Sequence, residues 1–124
     1  MTRTVSPVDE AHRASVGASI ADIAGFLQEA LGQKLVAYMT NISDPKLVGQ
    51  WARGEHVPRS EAHSALRAAY QIVKLLGAHD SAHIVRAWLI GMNPQLDGEA
   101  PASAIREGRS REAWVAAKAY VTGG

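Results

Sequence analysis

Cysteine is absent from this chain of 124 residues, so no disulfide can staple it and no thiolate can hold a metal. A reducing compartment fits that composition. Long apolar runs are missing as well: none approaches the roughly 20 residues a membrane helix needs, and the N-terminus lacks the apolar centre of a signal peptide. A soluble, cytoplasmic protein is the expectation. Charge of one sign is also scarce. Thirteen Lys and Arg against twelve Asp and Glu leave a net charge of +1. That is too little for a global field that attracts nucleic acid, so DNA binding would need local clustering or several copies acting together. No alternating run of β-branched residues extends beyond a few positions, which argues against strands. Nor does a glycine-rich phosphate loop follow a strand; the glycines read as helix stops or turns.

What remains is helical periodicity. Residues 1 to 17 carry Ser6 and Pro7 and scattered charge with little periodicity, and read as a mobile tail. From Ser19 onward, Ile20, Ile23, Ala24, Leu27, Ala30 and Leu31 recur on one helical face that stops near Gly32. A second helix is predicted over residues 33 to 39, presenting Leu35, Val36 and Met39, before a turn whose Ile42 can plug the corner. Asp44 and Pro45 open a third, as N-cap and first helical residue, and Gly54 stops it. Leu47, Val48 and Trp51 can point inward there, while Lys46, Gly49, Gln50 and Arg53 recur on the outer side. Two short helices joined by a tight turn, the second polar and basic, make a helix-turn-helix-like arrangement. Gln50 could reach adenine edges, Lys46 or Arg53 guanine or phosphate, and Gly49 would allow close backbone approach. A helical hairpin with a solvated polar face carries the same pattern.

Pro58 interrupts the chain after this hairpin. Ser60 then caps a long helix to about Gly77, striped by Leu66, Ala69, Tyr70, Val73 and Leu76 and widened by Ile72 and Leu75, which reads as the spine of the fold. Asp80 or Ser81 restarts a helix that runs to Leu89, with Gly91 expected to end it in the left-handed conformation. Asn93 with Pro94, and Asp97 with Gly98, are turn chemistry. Met92 and Leu96 are nevertheless apolar, and such side chains in a loop are usually pinned to a core or a partner. Residues 91 to 101 form the longest irregular segment, and long ordered loops are often functional. Pro101 opens a short helix stopped by Gly108. A last helix covers residues 110 to 121, with Trp114, Ala117 and Val121 on one face and Arg109, Arg111 and Lys118 giving it a basic character. The expectation is an all-α domain of six or seven helices, one globular unit in three stretches: 1–17, 18–59 and 60–124.

Catalytic constellations are scarce. His79 and His83 stand at i, i+4, a spacing that can chelate a metal, but no third ligand accompanies them and Asp80 serves as a cap. Ser60, Glu61 and His63 crowd one helix start, where they suit capping and solvation better than a nucleophile and its base. No catalytic residue, metal or cofactor is expected, and the chain reads as a binding protein rather than an enzyme. Trp51 and Trp88 read as core. Trp114 is evenly placed between core and interface anchor.

Trp88, Leu89, Gly91, Met92, Asn93, Pro94, Leu96, Gly98 and Pro101 in this order and spacing, then Ile105, Gly108 and a final amphipathic helix, carry a family likeness. The stretch resembles the toxin-binding domain of Xre/MbcA/ParS-type antitoxins, the partners of RES-domain toxins. The resemblance runs back through Pro58 and Trp51 and covers residues 18 to 121. It implies a helix-turn-helix-like N-terminal half followed by a helical toxin-binding half. It also implies a cytoplasmic antitoxin that performs no chemistry and docks on a toxin that attacks NAD, placing its last helix at the mouth of the active-site cleft. Carried onto this sequence, Met92, Asn93, Pro94, Arg106, Arg109, Arg111, Trp114, Lys118 and Tyr120 would face the toxin. Lys46, Gly49, Gln50 and Arg53 would belong to the operator-binding module that autoregulates the operon. Homo-oligomers, or hetero-oligomers with the toxin, are implied too. The N-terminal half departs from a strong repressor in being short and poor in positive charge. The competing reading is a stand-alone helix-turn-helix transcriptional regulator whose C-terminal half only dimerises.

Overall fold

Eight α-helices follow one another in the computed structural model, which describes residues 6 to 123, the side chains of residues 14 to 16 apart. They are α1 (Pro7–Gly17), α2 (Ile20–Leu31), α3 (Gln33–Thr40), α4 (Lys46–Ala52), α5 (Ser60–Gly77), α6 (Ala82–Ile90), α7 (Pro101–Arg106) and α8 (Ser110–Thr122). A 3-10 turn, Pro94–Leu96, lies between α6 and α7, and no strand occurs among the described residues. The all-α class read from the sequence is the class observed.

The helix not expected from the sequence is α1. Where the sequence suggests a tail over residues 1 to 17, the chain is helical from Pro7. The start signals are local: Ser6 Oγ accepts a hydrogen bond from the Asp9 amide at 3.2 Å, Pro7 suits the first turn, and Asp9 and Glu10 complement the helix dipole there. Ala11 is buried, and α1 packs along α5. Two small apolar contacts, Val8 and Ala11, are too sparse to register as periodicity.

α5 is the spine. Ala62, Ala65, Leu66, Ala69, Tyr70, Ile72, Val73, Leu75 and Leu76 are all buried along it, and α1, α2, α3 and α8 pack against it. Each fully buried Leu or Ile contributes about 1.5–3 kcal/mol relative to exposure, so this stripe is the main apolar store of the domain. Tyr70 also meets the Phe26 ring edge-on, at 5.2 Å between centroids.

α2, α3 and α4 pack on one another, α4 most closely on α2. Ser19 caps α2 by accepting from the Asp22 amide at 3.1 Å. Asn41 ends α3 in the left-handed conformation, φ 59°, and Ile42 packs against the core as expected. Asp44 caps the next helix through its side chain, accepting from the Lys46 amide at 3.0 Å. The helix begins at Lys46, one residue later than the sequence suggests.

Arginines tie the second half of the chain to the first. Arg86 on α6 donates to the Leu31 carbonyl at the end of α2. Arg106 on α7 donates to the Tyr38 carbonyl near the end of α3, at 2.7 Å, with its guanidinium 4.7 Å above the Tyr38 ring. Arg67 on α5 donates to the Ala18 carbonyl at 3.3 Å. A cation at a helix C-terminus answers the carbonyls that lack an intrahelical partner and the negative end of the dipole.

Candidate functional site

The turn between α6 and α7 is tied down from within. Leu89 is fully buried, and the chain leaves α6 at Gly91 with φ −87° and ψ 162°. That backbone is extended, not left-handed as the sequence suggests. The glycine answers a steric demand instead: a Cβ at Gly91 would lie 3.0 Å from the Ala87 carbonyl oxygen. Asn93 is buried, and its Oδ1 accepts from the Gln95 amide at 2.9 Å. Its backbone carbonyl accepts from Leu96 and Gly98 at 3.0 and 2.9 Å. Leu96 fills the core beneath, and Asp97 and Gly98 close the turn at φ 54° and 86°.

Met92 stands out on the other side of this ordered turn, 86% exposed. With Trp88, Pro94, Ala116, Ala119 and Tyr120 it lines a shallow groove of about 340 Å³ between the turn and α8. Trp88 and Tyr120 form its floor, their rings 6.0 Å apart and inclined by 52°. Tyr120 donates its hydroxyl to Asp80 Oδ2 at 3.0 Å, and this carboxylate holds the phenol above its ordinary pKa. Asp80 therefore serves Tyr120, while Ser81 caps α6 by accepting from the Ile84 amide at 3.3 Å. Among the described residues, five of the seven exposed large hydrophobics, Ile84, Ile90, Met92, Val115 and Tyr120, belong to α6, the turn and α8. Apolar exposure is thus concentrated on these elements, as it is at surfaces that meet partners.

The basic residues expected on this face divide. Arg111 is exposed and makes no ion pair among the described residues. Lys118 lies 5.8 Å above the Trp114 ring, and both are half-buried. Arg109, expected to be free for a partner, is not. Its Nη2 holds both oxygens of Glu99 at 2.5 Å and contacts Glu107, and its Nη1 reaches Glu112 at 3.5 Å. Glu107 and Glu99 raise the Arg109 pKa, and Arg109 with Ser103 lowers that of Glu99. Arg106 is likewise engaged with Tyr38. It lines a separate, wider cleft of about 1030 Å³, together with Asn41, Leu47, Val57 and Glu61.

A second candidate face belongs to α4. Lys46 and Arg53 are exposed and Gln50 is half-buried. Gly49, expected on the outer side, is buried: a Cβ there would meet Gln33 Nε2 at 2.9 Å and Arg53 Nη1 at 3.3 Å. Gln33, at the start of α3, donates to Gln28 Oε1 at 3.0 Å, so the glycine lets a glutamine pair cross the flank of α4. Arg53 is paired with Glu55, Nε to Oε1 at 3.0 Å and Nη2 to Oε2 at 3.1 Å. The arrangement raises the Arg53 pKa and lowers that of Glu55. Neither Gln33 nor Glu55 was singled out from sequence, although the position of Glu55 immediately after the Gly54 stop places it within reach of Arg53.

His79 lies beyond the end of α5 and His83 within α6, so their i, i+4 spacing is not that of one helix face. No group of three potential metal ligands occurs among the described residues. No described helix is long and apolar enough to cross a membrane. No family model, curated protein or solved structure matches this chain.

Proposed function

We propose that this chain is the antitoxin of a type II toxin-antitoxin pair, neutralising a RES-domain toxin that degrades NAD by covering its active site. The observation that carries the reading is the exposure of Met92 on a turn otherwise anchored by buried Asn93 and Leu96. An apolar side chain exposed to water on an anchored turn, beside the groove lined by Trp88 and Tyr120, gains by burial against a partner. In this reading α8 forms the other wall, with Arg111 available for acidic groups at the rim of the toxin cleft. Arg109 and Arg106 shape the antitoxin itself.

Co-expression with a RES-domain toxin encoded beside the chain tests this. Growth should be rescued and the two proteins should co-purify. Met92→Asp should abolish both while leaving the circular dichroism spectrum unchanged. Failure of the wild-type chain to rescue growth or bind the toxin overturns the proposal.

A separate observation favours a transcriptional role, either as autoregulation by the antitoxin or in a stand-alone regulator. α4 carries exposed Lys46 and Arg53 and half-buried Gln50, residue types that a recognition helix would use. Operator retention by the wild-type chain and by Arg53→Ala separates this role from toxin neutralisation, since the two faces use different residues.

A further inference from the structure

The chain contains no cysteine and three methionines. Met39 is 1% exposed and packed in the core, Met1 lies outside the described residues, and Met92 is almost wholly in solvent. We infer that Met92 is a site of reversible sulfoxidation by hydroperoxides, placed where the change of polarity acts on partner binding and not on the fold.

The chemistry requires only an accessible thioether. A sulfur lone pair attacks one oxygen of hydrogen peroxide, the S–O bond forms as the O–O bond breaks, and the departing hydroxide takes the proton from the transferred oxygen, leaving the sulfoxide and water. Sulfur is oxidised by two electrons and the peroxide is reduced. A thiol-dependent methionine sulfoxide reductase reverses the step: two thiols become a disulfide and the oxygen leaves as water. With no thiol in the chain, nothing on the protein competes for oxidant as a thiolate would. Met39 is shielded by its burial.

The setting decides what the oxygen atom does. In the free chain the sulfoxide dipole points into water, so the turn held by Asn93 and Leu96 has no reason to move. Against a partner, the same dipole must be desolvated in place of an apolar thioether, and an unpaired buried polar group is costly. The effect on binding rests on the proposed docking of this face; the selectivity of oxidation does not.

The test uses the full chain, hydrogen peroxide and the RES-domain toxin of the co-expression experiment. Peptide mass mapping should place one added oxygen on Met92 well before Met39, with the circular dichroism spectrum and melting temperature unchanged. Affinity for the toxin should then fall roughly tenfold or more, recovering after treatment with the sulfoxide reductase and a thiol. Met92→Leu, which carries no thioether, should take up no oxygen in this turn, and whatever affinity it has should be the same before and after peroxide. Equal oxidation of Met39 and Met92 in the folded chain overturns the selective site, and an unchanged affinity after complete oxidation of Met92 overturns its consequence. A chain that oxidises selectively but never binds the toxin leaves the modification site standing and removes the antitoxin reading instead.

Discussion

Arg53 and Glu55 occupy each other: two hydrogen bonds, at 3.0 and 3.1 Å, join the guanidinium edge to both carboxylate oxygens across Gly54. In the proposed transcriptional role the Glu55 carboxylate would compete with a DNA phosphate for this edge of Arg53. Because Arg53 holds the Glu55 carboxyl below its usual range, the pair is fully charged at neutral pH. An exposed pair of this kind is worth little, so in that role it would moderate DNA binding and not block it.

Glu55→Gln should therefore strengthen retention of a short operator, by no more than about fivefold. Arg53→Ala should weaken it and reduce the slope of log K against log salt by about one unit. Electrophoretic mobility shifts at several salt concentrations measure both. A tighter complex in Glu55→Gln/Arg53→Ala than in Arg53→Ala alone would mean that Glu55 acts on DNA directly and not through Arg53.

Removal of the last helix is the next prediction. The narrow apolar face of residues 110 to 121 suggests from sequence that truncation after Gly108 would spare the fold. The structure argues otherwise. Ala113, Ala116 and Ala117 are fully buried, and α8 covers α5, α7 and the 3-10 turn. Each 100 Å² of apolar surface uncovered costs about 2.5 kcal/mol, against a net stability of about 5–15 kcal/mol for a domain. The truncated chain should lose its cooperative thermal transition. A substitution on the groove wall, Ala119→Glu, is the better probe of α8 in toxin neutralisation.

Gly98 sits at φ 86° with open space where a Cβ would go. Gly98→Val should cost about 1–2 kcal/mol through backbone strain alone, lowering the melting temperature by several degrees, and weaken toxin binding by disturbing the path of the turn. Gly98→Asn, which tolerates this conformation better, should recover most of the loss. Gly91→Ala should also destabilise, for a different reason: its φ suits any residue, but the added methyl presses on the Ala87 carbonyl.

Glu99, Glu107 and Glu112 converge on Arg109, and the pH dependence follows from Glu99. Its carboxyl is held below the ordinary value by Arg109 first and Ser103 second. The folded state therefore binds this proton less readily than the unfolded one. The stabilisation is complete above the ordinary glutamate range and is lost as pH falls through the lowered folded value. Glu99→Gln should melt below the wild type at pH 7, and the gap should close as the pH drops beneath that range. Added salt should narrow it as well. A gap that stays constant in acid would show that Glu99 stabilises by packing and not by charge.

Helix starts and stops were legible because they depend on short-range chemistry. Ser19, Ser81, Pro101 and Gly108 work within a few residues of themselves, and the stripe from Leu66 to Leu76 needs only helical spacing. α1 was missed because its single face rests on Val8 and Ala11, and its burial is granted by α5, some fifty residues away. Two of the partners of Arg109, Glu107 and Glu112, are close in sequence and were within reach of a local reading; only Glu99, ten residues away, needs the closure of the turn to reach it. Gly49 looked outward by periodicity, while the glutamine pair that needs its missing side chain belongs to other helices. Met92 was legible in a weaker sense: sequence placed an apolar residue in a turn, and the structure separated it from Leu96, which faces the core.

Arg86 and Arg106 reach from α6 and α7 to the carbonyl ends of α2 and α3. The two halves are in this respect a dovetail, not beads on a string. A recombined chain that kept residues 60 to 124 and received a foreign helical hairpin would leave both guanidinium groups without their carbonyls, unless the newcomer ended its helices at the positions of Leu31 and Tyr38. Exchange of one half for another is therefore constrained by where helices stop.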